Sequence, residues 1–168
     1  MNVTIFGSGY MPSISEDEKS LITNITEYLV RKGYNIKNGG YYGVMEISAK
    51  AASEAGGKTF GYIVDSMSPN ANKHITTVFK NPDLFVRLKN LMSNSKAYLF
   101  FNGGIGTYTE LLLALDYSRK LSVADRPKII IVGSRLREFI ESLSDIAAKG
   151  ELSGCIFINS VDNLKKYI

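Results

Sequence analysis

The sequence predicts a three-layer α/β protein in which a doubly wound parallel β-sheet lies between two layers of helices. Three observations carry this prediction. Short apolar runs alternate with amphipathic segments along the chain, which is the pattern of strands joined by helical crossovers. The apolar run at 97–101 needs cover on both faces, as a strand of a parallel sheet does. Glycine-rich turns follow three of the runs, at 7–9, 39–43 and 103–106. These features predict one Rossmann-like domain over residues 1–168.

The predicted elements alternate in order. Strands are predicted at Val3–Phe6, Tyr34–Lys37, Thr59–Val64, Ala97–Phe101, Lys128–Val132 and Cys155–Ile158, and helices at 14–32, 43–55, 82–94, 106–121, 135–149 and 161–167. The first helix has apolar residues at helical spacing, with Ser15 or Ser13 as its cap and Gly33 as its stop. Residues 65–81 lack periodicity and carry turn-forming side chains. A long loop is predicted there, of a length that often serves as a lid or binding loop.

Composition narrows the class of protein. A chain of 168 residues with 45% hydrophobic content suits a single domain with one substantial core. The formal net charge is +4, and the basic residues are scattered along the sequence. This charge favours the binding of small anions but is too small for a dedicated nucleic-acid binder. There is no apolar stretch of transmembrane length and no targeting segment, and a lone Cys155 excludes an intrachain disulfide. We therefore expect a cytoplasmic protein without a membrane or nucleic-acid partner.

The segment from Ala97 to Arg119 predicts a site for an anion. A buried strand, a glycine turn and the start of a helix follow one another there. The first amides of a helix carry partial positive charge, so phosphate is the natural ligand. Thr107 adds a hydroxyl donor, and Glu110 lies one helical turn further on. A carboxylate would repel phosphate at contact distance, so the expected neighbour of Glu110 is a sugar or a base.

The spacing Gly-Gly-x-Gly-Thr-x-x-Glu from Gly103 to Glu110 resembles the signature of the Lonely Guy family, also called lysine decarboxylase-like proteins, in the Rossmann-like SLOG superfamily. The loop at 39–45 and Arg87 match two further elements of that family in order. The resemblance implies a phosphoribohydrolase that converts a nucleoside 5′-monophosphate, either a cytokinin ribotide or AMP, to the free base and ribose 5-phosphate. It implies a homodimer and requires neither a metal nor another cofactor.

The resemblance makes Glu110 and Arg87 the catalytic candidates. Departure of the base leaves an oxocarbenium-like C1′, which a carboxylate can stabilise or for which it can prepare a water molecule. Arg87 would orient the sugar and the base. The expected substrate and phosphate contacts are Gly103, Gly104, Ile105, Gly106, Thr107, Gly39, Gly40, Gly43, Gly7, Ser8 and Gly9.

A non-catalytic function stays open beside the enzymatic one. The family's Met-x-x-Arg-Lys motif has Leu88 in place of its lysine here, and Asn102 stands where the family has proline before the glycines. Similar scaffolds bind nucleotides, nucleotide-derived signals or the molybdenum cofactor. The alternative prediction is therefore a binding protein that uses the same pocket without turnover.

Two other site classes are disfavoured by the residues. After Gly7-Ser8-Gly9, Pro12 replaces the last glycine of a dinucleotide fingerprint, and the second strand ends without the acidic residue that binds ribose. A nicotinamide cofactor is therefore not expected. The single histidine, His74, lies far in sequence from the single cysteine, so these residue types do not suggest a metal site.

Overall fold

Seven parallel strands form one sheet in the order β4-β3-β2-β1-β5-β6-β7. A computed structural model describes residues 1–68 and 70–168; Pro69, in the predicted 65–81 loop, lies outside the described residues. The strands are β1 (Asn2–Phe6), β2 (Asn35–Asn38), β3 (Thr59–Val64), β4 (Thr77–Asn81), β5 (Ala97–Phe100), β6 (Lys128–Ile131) and β7 (Cys155–Phe157). The helices are α1 (Glu16–Arg31), α2 (Val44–Glu54), α3 (Leu84–Met92), α4 (Ile105–Arg119), α5 (Ser134–Ser142) and α6 (Val161–Leu164).

The helices cover both faces of the sheet, which confirms the predicted three-layer α/β architecture. Strand residues alternate between two cores. One core joins β1 and β5 to α1, α2 and α6 through Ile5, Leu99 and their neighbours. The other joins the opposite faces of β5 and β6 to α3, α4 and α5 through Phe100, Ile131 and their neighbours. Because both faces of the central strands are buried, their sequences are continuously apolar.

Local signals set the ends of several helices. The Ser15 side chain caps α1 by accepting a hydrogen bond from the Glu18 amide at 3.2 Å, as one of the two predicted caps. Gly33 follows α1 with φ +82°, a conformation that glycine adopts without strain. Asp83 caps α3 in the same way through the Val86 amide at 2.9 Å.

Three predicted segments differ from the structure. The helix predicted at 161–167 ends at Leu164. The predicted 65–81 loop contains β4, a strand that pairs only with β3 at the edge of the sheet. Its first four residues are exposed, so it lacks the apolar pattern that marks the other strands. The helix predicted at 135–149 ends at Ser142, since Ser144 and Asp145 favour turns over a helix interior.

The strand order creates a crevice in the middle of the sheet. The chain winds outward from β1 to β4 on one side, crosses back to β5, and then continues to β7 on the other side. The connections that follow β1 and β5 therefore leave in opposite directions. In open parallel sheets, ligands bind at the carboxyl ends of the strands at such a switch point. Among the described residues, no helix has the length and apolar character needed to cross a membrane.

Candidate functional site

A cavity of about 320 Å³ opens at the carboxyl edge of the sheet, between β1 and β5. Segments from four regions of the sequence meet there. Nine predicted site residues line it, namely Gly7, Ser8, Gly9, Gly39, Arg87, Gly104, Gly106, Thr107 and Glu110, together with Ile5, Phe6, Tyr10 and Met45. The fold thus brings the candidate catalytic pair and the glycine turn of α4 to one place.

The N-terminus of α4 presents free donors at this cavity. Gly104 is the N-cap residue, and no side chain caps the helix. In the described part of the chain, the amides of Ile105 and Gly106 have no acceptor, whereas the Thr107 amide bonds the Gly104 carbonyl at 2.9 Å. Gly104, Ile105 and Gly106 are exposed. The arrangement can therefore bind an anion through backbone donors and the helix dipole.

Gly103 lies outside the cavity lining and packs against the Thr107 side chain and the Ser8 backbone. A Cβ atom at this position would lie 2.1 Å from Thr107 Oγ1 and 3.0 Å from the Ser8 nitrogen. The Thr107 side chain folds under the turn, where it is buried. Only glycine leaves room for this packing, so the first glycine of the motif shapes the turn.

The loop after β1 has less donor capacity than its sequence suggests. The Ser8 amide donates to the Asn102 carbonyl at 2.9 Å, and the Ser8 carbonyl accepts from the Val44 amide at 2.9 Å. The Ser8 hydroxyl lies 2.9 Å from the Ser13 hydroxyl and accepts from the Tyr10 amide at 3.1 Å. These bonds tie the loop to β5 and α2, which leaves the flanking glycines to form the wall of the cavity.

The three glycines after β2 have different positions. Gly39 lies in the cavity wall, where a Cβ atom would be 2.1 Å from Arg87 Nη2. Gly40, at φ +79°, and Gly43, at φ +66°, are buried outside the lining. The Gly40 carbonyl accepts from the Asn72 amide at 2.7 Å. A direct ligand contact at Gly40 and Gly43 stays a prediction.

The Arg87 side chain is held at the base of the cavity. The residue is 8% exposed, and its Nε donates to the Tyr62 carbonyl at 2.7 Å. Its Nη1 lies 3.8 Å from Glu110 Oε1, and its guanidinium carbon is 5.6 Å from the centre of the Tyr41 ring. The bond to Tyr62 fixes the guanidinium in a position from which it faces both the acid and the cavity.

Burial changes the chemistry of Glu110. Its side chain is 15% exposed. Burial raises the pKa of Glu110 from 4.5 to about 7, while the Arg87 guanidinium opposes that increase. A carboxyl group with a pKa near 7 can exchange a proton with a ligand at neutral pH. The pair therefore combines a fixed cation with an acid that is near its titration point.

Four lining residues were not predicted as site residues. Ile5 and Phe6 belong to β1 and were predicted only as strand residues. Tyr10 lies at the exposed rim, and Met45 lies against Gly39. Both residues follow glycine turns, so their positions carried a signal, but their side chains do not suggest a specific chemistry. Within residues 1–68 and 70–168, no group of three His, Cys, Asp or Glu side chains could hold a metal ion.

The doubly wound parallel sheet and the uncapped helix at its switch point define a Rossmann-like scaffold of the nucleotide-binding type. The profile of the SLOG cluster4 family matches residues 1–149. The chain belongs to the SLOG cluster4 family.

Solved structures of similar fold cover nearly the whole chain. The crystal structure of TM1055 is 22% identical, with a TM-score of 0.81, and the match covers 98% of this chain and 96% of that one. The molybdenum cofactor binding protein from Rippkaea orientalis is 18% identical, with a TM-score of 0.77 and coverage of 98% and 93%. The molybdenum cofactor carrier protein from Chlamydomonas reinhardtii is 17% identical, with a TM-score of 0.74 and the same coverage of 98% and 93%.

A relative in Archaeoglobus fulgidus, an uncharacterized protein, is 28% identical over 141 residues, which are 82% of this chain and 88% of that protein. Together these matches confirm the expected SLOG-type scaffold. The narrower assignment to the Lonely Guy family stays a prediction.

Proposed function

We propose that this protein binds a phosphate-bearing small molecule, either a nucleotide or a phosphorylated pterin such as the molybdenum cofactor, and holds it without turnover. The observation that carries the proposal is the free amide of Gly106, which lines the same cavity as Arg87 and Glu110. The free amide of Ile105 belongs to the adjacent residue, which is not itself part of the cavity lining. The phosphate lies on the amides, and the body of the ligand extends toward Arg87.

The size of the cavity supports a ligand with a single nucleotide unit. Its volume of about 320 Å³ is near the lower end of the range of about 300–1,000 Å³ for small-molecule sites. Tyr10 at the rim can stack on an aromatic ring. Two proteins of similar fold are described as binding or carrying the molybdenum cofactor, which supports the binding function. Leu88, in place of the lysine of the enzymatic motif, supports it as well.

A second candidate is hydrolysis of a nucleoside 5′-monophosphate, such as AMP or a cytokinin ribotide. The buried Glu110 beside Arg87 favours it. Breaking the N-glycosidic bond leaves the electron pair on the base, which takes up a proton, while the ionised carboxylate stabilises the cationic C1′. Water then adds to C1′ and releases one proton, which balances the proton taken up by the base, and the product is ribose 5-phosphate.

The proposal includes a homodimer formed through α3 and α4. Large apolar side chains are exposed on both helices, and an apolar groove of about 380 Å³ lies between Phe85 on α3 and Leu113 and Tyr117 on α4. A second copy of the chain would cover this surface, since monomers rarely expose extended apolar patches. Cytoplasmic localisation stays a prediction.

The proposed anion site can be tested with two substitutions at one residue. Ile105 is the first residue of α4, and its side chain is 84% exposed. I105P removes the amide donor at a helix position that favours proline, after a Gly104 backbone that is already extended. I105A retains the amide. Calorimetric titration with AMP should show a loss of affinity of about tenfold in I105P, by the loss of one charge-assisted hydrogen bond, and little change in I105A.

Chromatography of the same mixtures separates the two candidate functions. AMP and its isopentenylated analogue should bind without release of free base if the protein is a binding module. Release that disappears in E110Q would instead establish the hydrolase. If AMP does not bind, titration with molybdenum cofactor released from a molybdoenzyme tests the pterin ligand. Failure of all these ligands to bind, or equal binding by I105P and I105A, would refute the proposed anion site.

A further inference from the structure

Lys37 on β2 is a buried cation outside the cavity lining. The residue is 1% exposed, and in the described part of the chain no carboxylate forms an ion pair with it. Its Nζ donates to the Asn90 carbonyl at 3.0 Å and to the Ser93 carbonyl at 2.5 Å. These acceptors lie at the C-terminal end of α3, where the helix dipole favours positive charge.

The other C-terminal carbonyls of α3 are bound in the same way. The Thr4 hydroxyl on β1 donates to the Leu91 carbonyl at 3.1 Å. The Tyr98 hydroxyl on β5 donates to the Met92 carbonyl at 2.6 Å. Four successive carbonyls that helix geometry leaves without partners thus receive donors from three strands of the sheet. The end of α3 is docked on the sheet by polar side chains, and Lys37 supplies the only charge among these donors.

The same helix carries Arg87, which lies one turn before Asn90. Tyr62 on the neighbouring strand β3 contacts both Arg87 and Lys37. The Tyr62 carbonyl accepts from Arg87 Nε at 2.7 Å, and the Tyr62 ring centre lies 4.9 Å from Lys37 Nζ. A shift of α3 on the sheet would therefore move the guanidinium away from the Tyr62 carbonyl and from Glu110.

We propose that Lys37 is the positioning residue of the pocket, because its ammonium group holds the end of α3 on β2 and thereby places the Arg87 guanidinium beside Glu110. This proposal rests on the proposed function only in that both concern the same pocket. Keeping a charge in the interior has a free-energy cost. Burial lowers the pKa of Lys37 to about 8, in keeping with that cost. A methionine would avoid the cost but would remove the ammonium group that joins these carbonyls to β2. Only local serine hydroxyls would then donate to them, from Ser93 to the Asn90 carbonyl at 2.8 Å and from Ser95 to the Ser93 carbonyl at 3.5 Å.

The test uses the Glu110 carboxyl group as a probe of the Arg87 position, in the absence of any ligand. The pKa of Glu110 is measured by carbon-13 NMR in the whole protein, and E110Q assigns the signal. R87M should raise that pKa by about one pH unit, since a cation at this distance lowers a carboxyl pKa by about that much or more. K37M should produce at least half of this increase, and K37R, which keeps the charge and the donors, should stay close to the native value.

A double substitution separates positioning from a direct charge effect. In the R87M background, K37M should change the Glu110 pKa no further, because there is no guanidinium left to position. An equal shift in both backgrounds, or an unchanged pKa in folded K37M, would overturn the proposal. K89M is the matched control, since it removes an exposed lysine from the same helix. If K37M does not fold, K37Q, which keeps a neutral donor, is measured in its place.

Because no ligand is present, failure of this test and failure of the proposed function are distinguishable. A protein that does not bind AMP still reports the position of Arg87 through Glu110. Conversely, an uncoupled Lys37 leaves the AMP titrations of I105P and I105A intact.

Discussion

The titration of Glu110 predicts an unusual dependence of stability on pH. In the folded protein the pKa of Glu110 is raised from 4.5 to about 7 by burial. Between these two values the folded state retains a proton that the unfolded state has lost. The folded state therefore binds more protons, so the contribution of this residue to the free energy of unfolding falls as pH rises from 4.5 to 7.

The size of the effect follows from the difference between the two pKa values. A difference of about 2.5 pH units, at about 1.36 kcal/mol each, corresponds to about 3 kcal/mol. The ionisation of Glu110 lowers the free energy of unfolding by this full amount above pH 7. It has no effect below pH 4.5, where the carboxyl group is protonated in both the folded and the unfolded state. E110Q replaces the acid by a neutral group of similar shape. We expect the free energy of unfolding of E110Q, relative to that of the native protein, to increase by about 3 kcal/mol between acid and alkaline pH.

Urea unfolding of the native protein and E110Q, at about pH 4.5 and pH 8, measures this change directly, because titration of the other groups cancels in the difference. E138Q, with a substitution at an exposed glutamate on α5, is the matched control and should show no such pH-dependent gain. If the difference between E110Q and the native protein is the same at both pH values, the burial argument for Glu110 is wrong.

Three further predictions concern the glycine turn, the anchoring of α3 and the proposed dimer. G103A places a Cβ atom 2.1 Å from Thr107 Oγ1 and should lower the free energy of unfolding, measured with urea, by about 1–3 kcal/mol. G106A is the control, because no atom lies within 4 Å of its new Cβ. It should lower the free energy of unfolding by less than about 0.5 kcal/mol, which is the limit for ordinary surface changes. Y98F removes the donor to the buried Met92 carbonyl and should cost about 1–3 kcal/mol in the same assay; an unchanged midpoint would show that this bond does not anchor α3. F85E places a charge on the exposed apolar face of α3 and should convert a dimer to a monomer in light scattering, while a native protein that is already monomeric would refute the proposed dimer.

Most of the fold could be predicted because its signals are local. The runs at 97–101 and 128–132 are apolar throughout, which is the consequence of burial on both faces of a parallel sheet. Edge strand β4 has no such signal, since its first four residues are exposed and it pairs on one side only. Its existence depends on β3, to which it forms hydrogen bonds, and therefore on contacts that periodicity does not encode.

The residues of the candidate site also differ in whether local sequence could predict their positions. The glycine turn, Thr107 and Glu110 lie within eight residues, so their shared position follows from the geometry of one strand, one turn and one helix. The sequence also predicted Arg87 as a partner of Glu110, but only through a family resemblance. Their 3.8 Å separation depends on how α3 packs on the sheet.

The sequence alone therefore determined the layer architecture and the glycine turn before α4, because hydrophobic periodicity and glycine geometry act over a few neighbouring residues. Only the tertiary structure decided that Ser8 uses its donors within the protein, that Glu110 is buried enough to titrate near neutrality, and that Lys37 holds the end of α3. Burial and hydrogen-bond partners are properties of the packed chain. They arise when elements distant in sequence meet at one edge or face of the sheet.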